Sequence, residues 1–148
     1  MDRQHPRDLF DVKFLLENEG FSQEIKKGFF LCLLGSDRPI HEIINPNLQD
    51  QGSTLEKHFA GMGNEDFSYE EFEVVRRRLV DTVHKSLTKK DKEFLLSVKG
   101  LEPDWKIYDF SRFPAIIWKL QNLQSLKENN PDKHSEQFEL LRKTLNSF

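Results

Sequence analysis

Phe67-Ser68-Tyr69-Glu70-Glu71-Phe72, then Val75, Leu79, Val83 and Leu87, then Thr88-Lys89-Lys90-Asp91, is the stretch on which the fold class turns. A Ser or Thr hydroxyl accepts from the backbone N–H three residues on, and an acid at that third position reaches back to the cap. Ser68 with Glu71 and Thr88 with Asp91 both fit that box, so two helix starts are fixed locally. Phe67 stands where a residue before the cap staples against the first turn, here against Phe72. Phe72, Val75, Leu79, Val83 and Leu87 recur at three- and four-residue steps, which places them on one helical stripe. Two consecutive helices are predicted, the second carrying Phe94, Leu95 and Val98 before Gly100.

The same signals repeat on both sides. His5-Pro6-Arg7-Asp8 opens a helix with proline and an acid in the first turn, and Gly20 stops it. Ser22 caps a second helix, with Glu24 in its first turn and the run Phe29–Leu34 read as its fully buried end, until Gly35 and Ser36 break it. Pro39 begins a short helix through Ile44, closed by Asn45-Pro46 because a residue before proline avoids the α region. Residues 46–53 read as loop, with Ser53 or Thr54 capping a helix that carries Leu55, Phe59 and Met62 and is weakened at its end by Gly61 and Gly63. Residues 100–113 read as an ordered loop whose Trp105, Tyr108 and Phe110 need packing partners. Pro114 opens a helix with Ile116, Ile117, Leu120 and Leu123 on one side. Pro131 opens the last, where Phe138, Leu141, Leu145 and Phe148 form a face for the core or for a partner helix. No alternating strand pattern exceeds about four residues. The fold class is all-α, an irregular bundle of six to eight helices, with residues 1–148 as a single helical domain.

Composition sets the outer limits. A chain of 148 residues is long enough for one core and short for two. With 36% hydrophobic and 32% charged residues the core is lean, and the 13 Phe are expected to fill much of it. No run approaches the roughly 20 apolar residues of a membrane span, and no apolar segment follows Met1, so a cytoplasmic location is expected. Cys32, alone in an apolar run, reads as a small buried hydrophobe. A net charge of −3 and a pI near 6.0 argue against a dedicated nucleic-acid binder, leaving only a local basic patch. Arg76, Arg77, Arg78, Lys85 and Lys89 form the candidate RNA-contacting segment, read alternatively as a solvated helix face. His5, His41, His58, His84 and His134 have no metal-ligand spacing and read as structural or surface groups, so no protein metal site is expected.

Arg7-Asp8-Leu9-Phe10-Asp11 places two carboxylates three residues apart on one helix, an arrangement that suits a shared cation or base role. The same pattern is also common on surface helices, where a first-turn acid faces the positive end of the helix dipole. Asp2-Arg3-Gln4-His5-Pro6-Arg7-Asp8-Leu9-Phe10-Asp11-Val12-Lys13 resembles the Arg-Asp-x-x-Asp helix motif of the AbiEii/AbiGii nucleotidyl transferase toxin family. Leu87–Leu96, Glu102-Pro103-Asp104-Trp105 and Phe113–Leu123 are similar, in order and spacing, to successive segments of that family's C-terminal half.

The resemblance implies a component of an abortive-infection or type IV toxin–antitoxin system. Its complete enzymes use Mg²⁺ and a nucleoside triphosphate to modify RNA, tRNA among them. It implies catalytic-motif roles for Arg7, Asp8 and Asp11, with Asp11 as base or substrate-orienting acid and the other two in support. The family's sheet, with a Gly-Ser loop and an Asp-x-Asp strand, has no counterpart in this sequence. The expectation is therefore a C-terminal helical part that begins within the last catalytic motif, lacks autonomous activity, and needs no cofactor of its own. A shortened interaction protein that binds an antitoxin or a separately encoded catalytic half is the alternative.

Overall fold

The computed structural model describes residues 4–59 and 67–148, which form eight helices and no strand. In chain order they are α1 (Pro6–Asn18), α2 (Gln23–Gly35), α3 (Ile40–Ile44), α4 (Gly52–Phe59), α5 (Tyr69–Ser86), α6 (Lys89–Lys99), α7 (Pro114–Asn129) and α8 (Pro131–Asn146). The all-α expectation and the helix number hold.

Local chemistry explains the boundaries. Both capping boxes form, Ser68 with Glu71 at α5 and Thr88 with Asp91 at α6. The Phe67 ring meets Phe72 edge-on with centroids 6.5 Å apart, closing the staple. Ser22 Oγ accepts from the Ile25 N–H at 3.3 Å, and Asn130 Oδ1 accepts from the Lys133 N–H at 3.0 Å. Gly20, at φ +69°, turns the chain out of α1 in a left-handed conformation that glycine adopts without strain. One start differs from expectation: α4 begins at Gly52, ahead of Ser53, because Asp50 Oδ1 accepts from the Gly52 N–H at 2.9 Å. Met62, Gly61 and Gly63 lie outside the described residues.

Buried side chains gather in two clusters. The larger unites α2, α3, α6, α7 and α8 around Phe30, Leu34, Ile44, Phe94, Ile116 and Leu141. The loop 100–113 packs onto it as its aromatics require, with Tyr108 centred 5.3 Å from Phe30 and 5.1 Å from Phe94. The smaller joins α1, α4 and α5 through Leu9, Leu55, Phe67, Phe72 and Val75. The α5 stripe links them: Phe72 and Val75 enter the smaller cluster, and Leu87, just past the helix, enters the larger. Phe30, Phe72, Phe94 and Phe110 are among the largest fully buried side chains, so phenylalanine does fill the core.

Two expectations need correction. Cys32 is exposed, because six consecutive residues sweep more than one full turn of α2 and only Phe30, Leu33 and Leu34 of the run face inward. Ile117 is 44% exposed, and its place on the inner face of α7 is taken by Lys119 between Ile116 and Leu123. Of the two uses open to the α8 stripe, the core is the one observed: Leu141 and Leu145 are buried in the larger cluster and Phe148 packs against it.

Candidate functional site

The smaller cluster positions the motif residues. Leu9 and Leu16 anchor α1, which turns Arg7 and Asp11 outward and leaves Asp8 half-buried. The His5 side chain caps the helix by accepting from the Arg7 N–H at 3.2 Å. α1 and α5 are also tied at the surface, where Lys13 Nζ donates to Glu71 Oε1 at 3.1 Å. That contact is the chief reason the Glu71 carboxyl sits below its ordinary value.

The basic segment divides. Arg77 and Arg78 are exposed on α5, as is Lys85 nearly two turns beyond Arg78, and Lys89 is exposed at the start of α6. Arg77 pairs with Glu73 at 3.7 Å and Lys89 with Glu93 at 3.8 Å. Arg76 does not belong with them. It is 5% exposed, bonded to Gln4 Oε1 at 3.1 Å and to the Gln49 carbonyl at 2.6 Å, and paired with Glu73. Its guanidinium also lies 5.0 Å from the Phe72 ring centre. Arg76 fastens the segment before α4 to α5, and cannot reach a phosphate from there.

Two polar constellations escaped the sequence reading, and both lie in the larger cluster. In the first, Lys26 Nζ donates to Asp91 Oδ2 at 2.8 Å and to the Ser86 carbonyl at 3.3 Å. The Tyr108 hydroxyl donates to Asp91 Oδ1 at 2.6 Å, and the Thr88 N–H donates to Oδ2 at 2.8 Å. Burial pushes the Asp91 carboxyl up, and the bonds from Lys26, Tyr108 and Thr88 together outweigh it, holding it below its ordinary value. Burial and the bond to Asp91 push the Tyr108 phenol well above its own. Every group here has its partner, which is the mark of a structural hub.

The second is a cavity of about 180 Å³ lined by Asp37, Ile40, Lys99, Lys119, Leu123, Lys133 and Gln137, among others. Lys99 and Lys119 are 4% and 7% exposed. Lys99 Nζ donates to Gln137 Oε1 at 2.7 Å, and Lys119 Nζ to the carbonyls of Ser36 and Arg38 at 2.5 and 2.9 Å. Among the described residues neither ammonium has a carboxylate within 4 Å. Burial, then the charge of Lys119, lowers Lys99 to about 8. Burial also lowers Lys119, opposed by Asp37.

Comparison with family models, curated proteins and solved structures finds no match. Among the described residues no group of three His, Cys, Asp or Glu side chains could hold a metal ion, and no helix is long and apolar enough to cross a membrane. The described histidines are largely placed by packing: His84 stacks on Phe148 at 3.7 Å and donates to the Ile44 carbonyl at 2.8 Å, while His134 Nε2 lies 3.1 Å from the Lys99 carbonyl.

Proposed function

We propose that the chain is the helical, substrate-gripping part of an AbiEii-like nucleotidyltransferase toxin, with no transfer activity by itself. The reading is carried by Arg7 and Asp11, the outer residues of the Arg-Asp-x-x-Asp motif, which stand exposed on α1. Motif side chains that a fold needed for its own packing would be turned inward, as Arg76 is. On α1 they are left for a neighbouring site. Arg78 and Lys85 supply exposed positive charge on α5, and phosphate contacts of that kind give RNA affinity without sequence preference. In-line nucleotidyl transfer also needs a divalent metal clamp on the triphosphate, and two acids and an arginine do not make one.

Purified chain incubated with labelled nucleoside triphosphates, Mg²⁺ and bulk tRNA is expected to transfer no label. Supplying the sheet-bearing catalytic domain of a family member in trans is expected to yield transfer that Asp11→Ala abolishes. Transfer by the chain alone overturns the claim of dependence, and transfer in trans that is indifferent to Asp11→Ala overturns the role of α1.

The second reading, an interaction module for an antitoxin or a catalytic half, is favoured by the outer side of α7. Ile117 and Trp118 are 44% and 52% exposed there, and a shallow groove of about 450 Å³ runs beside Ile117, Leu120 and Leu101. Sedimentation of the chain with and without those candidate partners separates the two readings: a mass that never rises above the monomer counts against it.

A further inference from the structure

The lysine cavity does not depend on the toxin reading and lies in the other core cluster from α1. We propose that the cleft floored by Lys99 and Lys119 and flanked by Lys133 is a binding site for a small phosphate monoester. Three lysines face one aspartate, Asp37, so the protonated cleft carries two uncompensated positive charges, the charge of a fully ionised monoester. Burying two ammonium groups without a carboxylate partner is costly, and an anionic ligand would supply the missing counter-charge.

The geometry selects the ligand's size and shape. A cavity of about 180 Å³ holds roughly six waters' worth of volume at about 30 Å³ each and falls below the roughly 300 Å³ at which drug-sized pockets begin. A phosphate group with a few attached atoms fits within the enclosed part of the cleft. Among the described residues Lys99 Nζ has a single acceptor, Gln137 Oε1, which leaves N–H donors for oxyanion oxygens. Lys119 is already held by the Ser36 and Arg38 carbonyls, so its ammonium is fixed in place before any ligand arrives. Ile40, Leu123 and Leu126 line the same space and give the ester carbons an apolar wall that also strengthens the ionic contacts. Asp37 beside Lys119 disfavours a second anionic group on the ligand at that side. No bond is made or broken.

Titration of the full chain with inorganic phosphate, glycerol phosphate and glycerol at fixed ionic strength, followed by thermal unfolding and by isothermal calorimetry, tests the site. Glycerol phosphate is expected to raise Tm in a saturating manner and glycerol to leave it unchanged. Lys99→Met is expected to weaken glycerol phosphate by roughly tenfold or more, the effect of losing one charge-assisted bond. Lys133 is exposed and its loss leaves the core intact, so Lys133→Gln, which should weaken binding less, keeps the test valid if the first variant folds poorly. Equal shifts from chloride or acetate, or unchanged affinity in both variants, overturn the proposal.

Discussion

Lys26 and Lys99 are buried to the same depth in the same core, 3% and 4% exposed, and are treated oppositely by their surroundings. Around Lys26 the chain has assembled a carboxylate, a carbonyl and, behind them, a tyrosine and a threonine that complete the carboxylate's own bonding. Around Lys99 it has placed a neutral amide and a second lysine. A buried cation that is compensated behaves as a fastening. One that is not keeps its charge available, and its amine becomes less basic. The lesson is that burial alone does not assign a polar residue; the sign and number of its partners do.

The sharpest way to break that contrast is to remove the compensation. Asp91→Ala strands the Lys26 ammonium and deprives Thr88 of its reciprocal cap, so it is expected to cost about 3–5 kcal/mol in urea unfolding. A loss below about 1 kcal/mol, the worth of an ordinary surface pair, would show that Lys26 finds water and that the hub is no fastening. The pH dependence has the same origin. The Asp91 carboxyl is held below its ordinary value, so its contribution is fully present above the unfolded carboxylate range and is lost as pH falls through the folded value. Arg76 is an intermediate case, partly compensated by Glu73 but with its Nε buried and lacking an acceptor among the described residues. Arg76→Ala is expected to cost about 2 kcal/mol through the lost bonds to Gln4 and Gln49 and the lost packing on Phe72.

Lys99→Met runs the other way. A group with a folded value of about 8 and an ordinary value of 10.5 is protonated in both states below pH 8, so its burial penalty is then fully felt. Between those values the unfolded chain binds more protons and stability rises with pH. The substitution is expected to stabilise the ligand-free chain by about 1–2 kcal/mol at pH 7, a gain that shrinks as pH approaches 10.5. His41 on α3, Asp37, Lys119 on α7, and Lys133 and His134 on α8 carry the other titrating groups nearby, and His134 is itself lowered by burial and then by Lys99. Unchanged stability across that range would place the Lys99 ammonium in water and remove the contrast with Lys26.

The helices were legible because their signals are local: Ser68 with Glu71, Thr88 with Asp91, and the prolines at 6, 114 and 131 act within one turn. What those helices bury was less legible. Lys26 stands four residues before Phe30 and Lys119 between Ile116 and Leu123, so both occupy stripe positions that spacing could have exposed. Residue type alone gives no reason to put a lysine there. Cys32 failed for the converse reason, its apolar neighbours suggesting burial that α2's outward side does not provide. Asp91 was legible as a cap, but Lys26 lies 65 residues away and Tyr108 comes from a loop, so the hub exists only after the chain has closed. Likewise Arg7 and Asp11 could be placed on one helix from spacing, while Arg76 was separated from Arg77 only by the packing of its guanidinium on Phe72 and its bond to the Gln49 carbonyl.

The smallest expected effect completes the series. Lys89 differs from Lys26 and Lys99 in depth: its side chain is 91% exposed, and its pairing with Glu93 at 3.8 Å is a loose i,i+4 contact. Water already solvates both ends, so forming the pair gains little Coulomb energy and restricts two long side chains. Lys89→Ala should leave the unfolding midpoint unchanged within measurement, and raising the salt from low to high should leave the difference between variant and parent unchanged too. A clear destabilisation would mean that charge at the start of α6 matters in its own right. Asp91 of the hub lies only two residues further on, so the contrast between compensated and uncompensated lysines would then have to be redrawn to include the field of the exposed ones.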